Sequence, residues 1–310
     1  MNREQFKAIC KKSQEELKQY VVTKLKKNYE KLWVHKYYVY AEGKVPVCLV
    51  AHLDTVHKEL PSVFVEEDDR ISSPQGIGGD DRCGIYAILQ IVKKLNCSVL
   101  FCCDEEVGGI GAITFSQSSL AKQADFKYMI ELDRKGKEDA VFYDCDNPEF
   151  TEFITSFGPW TEDFGSFTDI CEVAPAVGCS AVNLSVGYYD QHTLKEYVVP
   201  SQVDACIENV CRLIEASSDV GKFEFIEAVY DYKGYYGYKY GSNFKRYDDY
   251  GEDSIYLIQY EDNNGKMQYV EVEASGEYEA IGKFCAMHED IPFRQVFDVM
   301  DENYYCYSQK

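Results

Sequence analysis

Seven residues able to hold a cation or move a proton stand at the ends of apolar runs: His52, Asp54, Asp80, Glu105, Glu106, Asp133 and His192. The clearest case is Ser98-Val99-Leu100-Phe101-Cys102-Cys103, which stops abruptly at Asp104-Glu105-Glu106-Val107-Gly108-Gly109. Carboxylates at the end of a buried strand are costly unless a cation sits there. Open α/β sheets bind ligands at the carboxyl ends of their strands, which marks Glu105 and Glu106 as site residues. A solvated acidic turn is the plain alternative for this stretch taken alone. Period-2 alternation sends His52 and Asp54 to the same side of an extended segment. A lone histidine at such a junction is more often structural than a ligand, but seven such residues in succession outweigh that reading. Oxygen and imidazole donors without thiolates suit zinc, manganese or cobalt.

The elements that must position these residues follow from hydrophobic spacing. Residues 3–28 carry Phe6, Ile9, Cys10, Leu17, Val21 and Leu25 at helical spacing, with lysines between. Strand-like runs at 33–41 and 45–53 flank Glu42-Gly43-Lys44, a hairpin signal. A loop over 61–79 leads into a helical pattern from Ile85, then the strand at 97–103 and a helix over 108–120. Further strands are predicted at 126–132, 140–145 and 181–186, with helices at 148–157 and 200–216. Strands alternating with helices imply a mixed central sheet flanked by helices, an α/β fold. This unit spans 1–220. Residues 221–310 change character: tyrosine crowds 230–260, and Asn264-Gly265 between alternating runs signals a hairpin. With helical patterns at 277–287 and 292–300, this region reads as a small, Tyr-rich, acidic α+β appendage.

Composition removes several classes of function. A chain of 310 residues with 45% apolar content can build a proper core. No stretch approaches the ~20 apolar residues of a membrane span, so no membrane partner is expected. The net charge of −21 argues against nucleic acid, which needs a basic face. The lysine-rich opening is read as the solvated face of an amphipathic helix. The 13 cysteines are odd in number, form no Cys-x-x-Cys pair and lie in apolar runs. Buried reduced thiols are expected. With no apolar signal segment in Met1-Asn2-Arg3-Glu4-Gln5, they point to the cytoplasm.

The order of motifs resembles that of the co-catalytic zinc exopeptidases, the clan of peptidase T, glutamate carboxypeptidase and several aminopeptidases. The matching residues are Ala51-His52-Leu53-Asp54, Gly79-Asp80-Asp81-Arg82-Cys83-Gly84, Asp104-Glu105-Glu106-Val107-Gly108, Leu132-Asp133 and the late His192, over about residues 46–215. The resemblance implies a zinc-exopeptidase (phosphorylase/hydrolase-like) fold and two divalent ions, zinc first, with cobalt or manganese as alternatives. It implies that Asp80 bridges both metals, His52 and Asp133 complete one site, and Glu106 and His192 complete the other. Glu105 is then the general base and Asp54 the carboxylate that fixes the tautomer of His52. Three carboxylates and a bridging hydroxide neutralise two divalent cations. Between Asp54 and Asp80 lie 25 residues, and between Asp133 and His192 lie 58, too few for the inserted lid domain of larger relatives. A minimal catalytic unit is expected, and the tail after 221 matches no motif of the clan.

Neighbouring residues receive plainer readings. Asp81 is expected to support the loop or cap the following helix, and Arg82 to pair with nearby carboxylates. His57 is read as a surface residue, and His35 and His288 have no supporting constellation. Thr168 and Asp169 lie where relatives place substrate contacts, although a plain turn is the simpler reading. The sequence thus predicts a cytoplasmic dinuclear metallohydrolase that cleaves amide bonds, an aminopeptidase or a dipeptidase or tripeptidase acting on peptides. An N-acyl amino acid deacylase on the same site is the alternative. A non-catalytic metal-binding or interaction protein is the alternative of another class.

Overall fold

The computed structural model describes residues 1–228, 254–274, 280, 283–284, 287–288 and 296–301. The chain divides into two compact units, Met1–Val229 and Tyr230–Lys310. The first opens with α1 (Arg3–Cys10), α2 (Gln14–Leu25), β1 (Lys31–Val34), β2 (Tyr38–Glu42), β3 (Val45–His52), β4 (Val65–Glu67) and β5 (Arg70–Ser72). It continues through α3 (Gly79–Ile91), β6 (Cys97–Cys102), α4 (Ile110–Ser116), α5 (Ser119–Gln123), β7 (Tyr128–Arg134), β8 (Asp139–Val141) and α6 (Pro148–Phe157). It closes with β9 (Thr161–Asp163), α7 (Asp169–Val177), β10 (Ala181–Ser185), β11 (Tyr188–Tyr189), β12 (Tyr197–Val198) and α8 (Pro200–Ala216).

Eight strands form the central mixed sheet in the order β1-β2-β6-β3-β7-β10-β8-β9. The four central strands, β6, β3, β7 and β10, run parallel. Residues on them alternate between two cores. Val47, Leu49, Ala51, Val99, Phe101, Tyr128, Ile130 and Leu132 face α1, α2, α3 and α8, while Cys48, Val50, Leu100, Cys102 and Met129 face α4, α5 and α7. By the same period, His52 and Asp133 project on the second face, at the carboxyl ends of neighbouring parallel strands. Ten of the eleven described cysteines are buried free thiols, nine of them inside these cores.

Two local readings of the sequence change. The single helix over 3–28 is two helices, because Ser13 closes a capping box with Glu16 and restarts the helix. The hairpin at 42–44 does not pair its flanking strands, since β6 lies between β2 and β3. Three Cα steps of about 3.4 Å bridge two inter-strand spacings of about 4.8 Å. The N–H groups of Lys44 and Val45 bond Asn96 O on the way, at 2.8 and 2.9 Å.

A second sheet, β11-β12-β5-β4, is antiparallel throughout. The first unit extends past residue 220 because Phe223 joins its aromatic cluster with Tyr128 and Phe150. In the second unit, β13 (Ser254–Glu261), β14 (Met267–Ala274) and β15 (Val296–Asp301) make an antiparallel sheet ordered β14-β13-β15. The Asp262 carboxylate fixes the hairpin turn by accepting the N–H groups of Asn264 and Lys266. The helix predicted over 292–300 is therefore corrected from Val296 onward: this apolar run is a strand, and pairing with β13 decides a spacing that fits either state. Ala280 and Phe284, from the helix predicted at 277–287, are helical and pack on Ile258 and Val272. The tyrosine-rich 229–253 lies outside the described residues.

Candidate metal centre

Each of the seven residues stands at a junction that the sheet brings to one edge. His52 ends β3, Asp54 follows it, Asp80 opens α3, Glu105 and Glu106 follow β6, Asp133 is near the end of β7, and His192 lies in the connection from β11 to β12. The His52 side chain is 1% exposed. Its Nδ1 lies 3.2 Å from Asp54 Oδ1 and its Nε2 2.9 Å from Asp80 Oδ1. Asp133 Oδ1 is 3.6 Å from the same Nε2. The other oxygen of Asp80, Oδ2, is 3.2 Å from His192 Nε2, which is also 3.2 Å from Glu106 Oε2. Asp80 thus gives one oxygen to each histidine. Each histidine Nε2 has one further carboxylate beside it, Asp133 for His52 and Glu106 for His192.

The residues fit divalent ions. Ligand atoms of His52, Asp80 and Glu106 converge within 4.8 Å of one another, and Glu106 Oε1 is buried with no hydrogen-bond partner. Ligands about 2.1 Å from a tetrahedral ion lie about 3.4 Å apart, close to the separations of these pairs. The donors are imidazole and carboxylate only, as zinc, cobalt and manganese accept. His52, Asp81 and Asp133 form a second convergent group. Asp81, however, is already engaged: its Oδ2 accepts the His52 N–H at 3.2 Å and its Oδ1 the Gly84 N–H at 2.9 Å. The carboxyl of Glu105 and the imidazole of His192 belong to neither group, His192 meeting Asp80 and Glu106 pairwise.

Supporting contacts hold the acids in place. Besides His52, the Asp54 carboxylate accepts the N–H groups of Glu105 and Glu106, both at 3.0 Å, so one side chain ties the first motif to the third. Against the effect of burial, His52 and these N–H groups hold Asp54 below its ordinary range. Asp133 accepts from Tyr188 Oη at 3.1 Å and Thr168 Oγ1 at 3.3 Å. Asn183 bonds both the N–H and the C=O of Asp133. Asp104 takes a left-handed φ of 59° and is clamped by reciprocal bonds with Gln14 of α2.

The electrostatics of this cluster follow from crowding. Burial, then Asp80, pushes Asp133 up to about 7. Burial, with Asp133, Asp169 and Glu106 nearby, raises Glu105 well above the usual carboxylate range. Burial pulls His52 down, but Asp133, Asp54 and Asp80 overcome it, so its pKa is raised. Bonds to Asp80 and then Glu106 push His192 up to about 11.

Several neighbours differ from their sequence readings. Arg82 bonds carbonyls rather than carboxylates, reaching Leu53 O at 3.0 Å, Lys12 O at 3.2 Å and Asp54 O. The His57 side chain is 6% exposed and lies 2.9 Å from Glu196 Oε2, so it is neither a surface residue nor beside the ligands. Thr168 and Asp169 are buried, and Asp169 begins α7 instead of forming a plain turn. Glu196 was not legible in advance. It is fully buried, and its oxygens accept the N–H groups of Gly78 and Asp80 at 2.9 and 3.0 Å. The one available signal was a charge preceding the apolar run Tyr197-Val198-Val199, four residues after His192.

No protein-family model matches the sequence, and no curated protein matches it. Solved structures share its fold. Aminopeptidase PepT from Bacillus cereus aligns over 70% of this chain and 98% of its own, with 14% identity and a TM-score of 0.57. A tripeptidase from Staphylococcus aureus aligns over 69% and 97%, with 12% identity and a TM-score of 0.56. An aminopeptidase from the archaeon Desulfurococcus kamchatkensis aligns over 68% and 94%, with 17% identity and a TM-score of 0.54. The chain therefore has the mixed α/β fold found in these exopeptidases.

Proposed function

We propose that this chain is a dinuclear metal-dependent amide hydrolase, and that its reaction is exopeptidase cleavage of a terminal peptide bond. The observation that carries the proposal is Asp80, whose two oxygens face two different histidines, each with its own second carboxylate. In this reading His52 and Asp133 hold one ion, Glu106 and His192 the other, and Asp80 both. Bound there, the ions supply an acidified water and a polarised scissile carbonyl. Zinc suits the donors best, with cobalt or manganese as substitutes.

The protein's own residues then have separate work. Asp54 keeps the proton of His52 on Nδ1, leaving Nε2 free as a donor atom. Its bonds to the Glu105 and Glu106 N–H groups set these two side chains on one turn. Glu105, outside the convergent ligand groups, takes a proton from the attacking water. It returns that proton to the departing amine nitrogen as the C–N bond breaks. The products are a carboxylic acid and a free amine. The fold likeness to an aminopeptidase and a tripeptidase favours peptides as substrates. The thiol-rich core suits the reducing cytoplasm. Among the described residues no helix is long and apolar enough to cross a membrane.

The test is a Glu105→Gln variant assayed beside the wild type on aminoacyl anilides, dipeptides, tripeptides and N-acyl amino acids. The expected result is retained metal with hydrolysis reduced by at least ~100-fold. Wild-type turnover by the metal-loaded variant would remove Glu105 from its role. Activity confined to the N-acyl amino acids would favour the deacylase. Fewer than one ion per chain, with no hydrolysis on any substrate, would favour the non-catalytic reading.

A further inference from the structure

We propose that Glu196 is a positioning residue: it clasps the His192 loop onto the start of α3 and so seats His192 against Asp80. This rests on the dinuclear reading above. His192 cannot hold its own position. Its side chain is half exposed, its φ is 63°, and it sits on a loop between the two-residue strands β11 and β12. A left-handed non-glycine residue needs its surroundings to fix it. Four residues on, Glu196 supplies the anchor.

The Glu196 carboxylate is fully buried and has three partners across the gap. Oε1 accepts the Asp80 N–H at 3.0 Å, and Oε2 accepts the Gly78 N–H at 2.9 Å. His57 Nε2 lies 2.9 Å from Oε2. Bonds from N–H groups to a buried carboxyl are strengthened by the low local dielectric. Gly79 permits the approach: a Cβ there would lie 3.2 Å from Glu196 Oε1 and 2.8 Å from Tyr188 Cβ. On the loop side, the Glu196 N–H donates to Thr193 O at 3.2 Å, and Thr193 Oγ1 donates to Asp190 O at 2.7 Å. The loop is thus a compact turn, and moving Glu196 moves His192. One carboxylate therefore fixes the main chain of the bridging aspartate and the loop of the most exposed ligand together. His52 and Asp133 stand on central strands and need no such clasp.

The consequence is selective. Without Glu196, the ion at Glu106 and His192 loosens, while the ion at His52 and Asp133 is largely kept. The experiment titrates Co(II) into chelator-stripped full-length protein, read by visible absorption and calorimetry, with thermal melts in chelator as the control for folding. The wild type is expected to take two equivalents. Glu196→Gln is expected to keep one near wild-type affinity and to weaken the other by about 10- to 100-fold. A His192→Ala variant should lose the same ion, and adding Glu196→Gln to it should not weaken the remaining one further. Two ions bound by Glu196→Gln as in the wild type, or both weakened equally, would overturn the clasp alone. Fewer than two ions on the wild type would overturn the dinuclear reading itself. If Glu196→Gln melts without a cooperative transition, His57→Phe decides: it removes one partner and should weaken the same ion, and unchanged binding would overturn the proposal.

Discussion

At the residue scale, the acids after β6 divide into three roles. Asp104 is structural, locked to Gln14 in a left-handed turn. Glu105 and Glu106 hang from Asp54 through their N–H groups, yet only Glu106 lies beside a histidine. Asp54 therefore contacts both motifs, and Asp54→Asn tests its contribution. The amide keeps one acceptor oxygen for two N–H groups that meet different oxygens of Asp54, and it loses the charge that in the proposed site fixes the His52 tautomer. Competition with a chromophoric chelator should show metal affinity reduced by about 10- to 100-fold with the fold intact. A second residue-scale prediction concerns protons. Carboxylates raise the pKa of His52 and push that of His192 up to about 11, which favours the protonated imidazoles. A metal needs neutral imidazole. Binding must release protons, and apparent affinity must rise with pH below the pKa of these groups. Calorimetry in two buffers of different ionisation enthalpy would read the release as a buffer-dependent heat; equal heats would contradict it.

At the element scale, parallel strands do the positioning, and α3 depends on a close approach to β7. A Cβ on Gly84 would lie 2.2 Å from Leu132 O and 2.4 Å from Asp81 Oδ1. Gly84→Ala should therefore destabilise the protein by about 1–3 kcal/mol or more, read as a lowered melting temperature without metal. Unchanged melting would contradict the packing described here. This scale also shows what was legible in the sequence. Period 2 sends His52 and Asp54 to one side, where they lie 3.2 Å apart, and an apolar run ending in acids locates Glu105 and Glu106. The helices at 148–157 and 200–216 agree with α6 and α8, because Pro stands at the first turn and the apolar face is regular. What could not be read is non-local. The insertion of β6 between β2 and β3 depends on pairing at a distance, which leaves the turn at Gly43 looking like a hairpin. The run beginning at Val296 fits helix or strand until β13 decides. Glu196 and His57 find each other across 139 positions in sequence, and nothing local pairs them.

At the scale of the whole molecule, the seven candidate residues and both large cores lie within Met1–Val229, while Ile258, Val272, Ala280 and Phe284 form a separate small core. A chain ending at Val229 is therefore predicted to melt cooperatively and to bind the same number of ions. Loss of either would show that 230–310 completes the first unit or its site. In the proposed reading the strong negative charge favours the centre, because an acidic chain attracts cations. The central claim is that Asp80 stands between two ions. Anomalous diffraction from crystals loaded with cobalt or zinc tests it most directly. Two peaks are predicted about 3.5–4 Å apart, one against His52 and Asp133, the other against Glu106 and His192, with a carboxylate oxygen of Asp80 on each. A single peak, or two peaks that Asp80 does not join, would contradict the account.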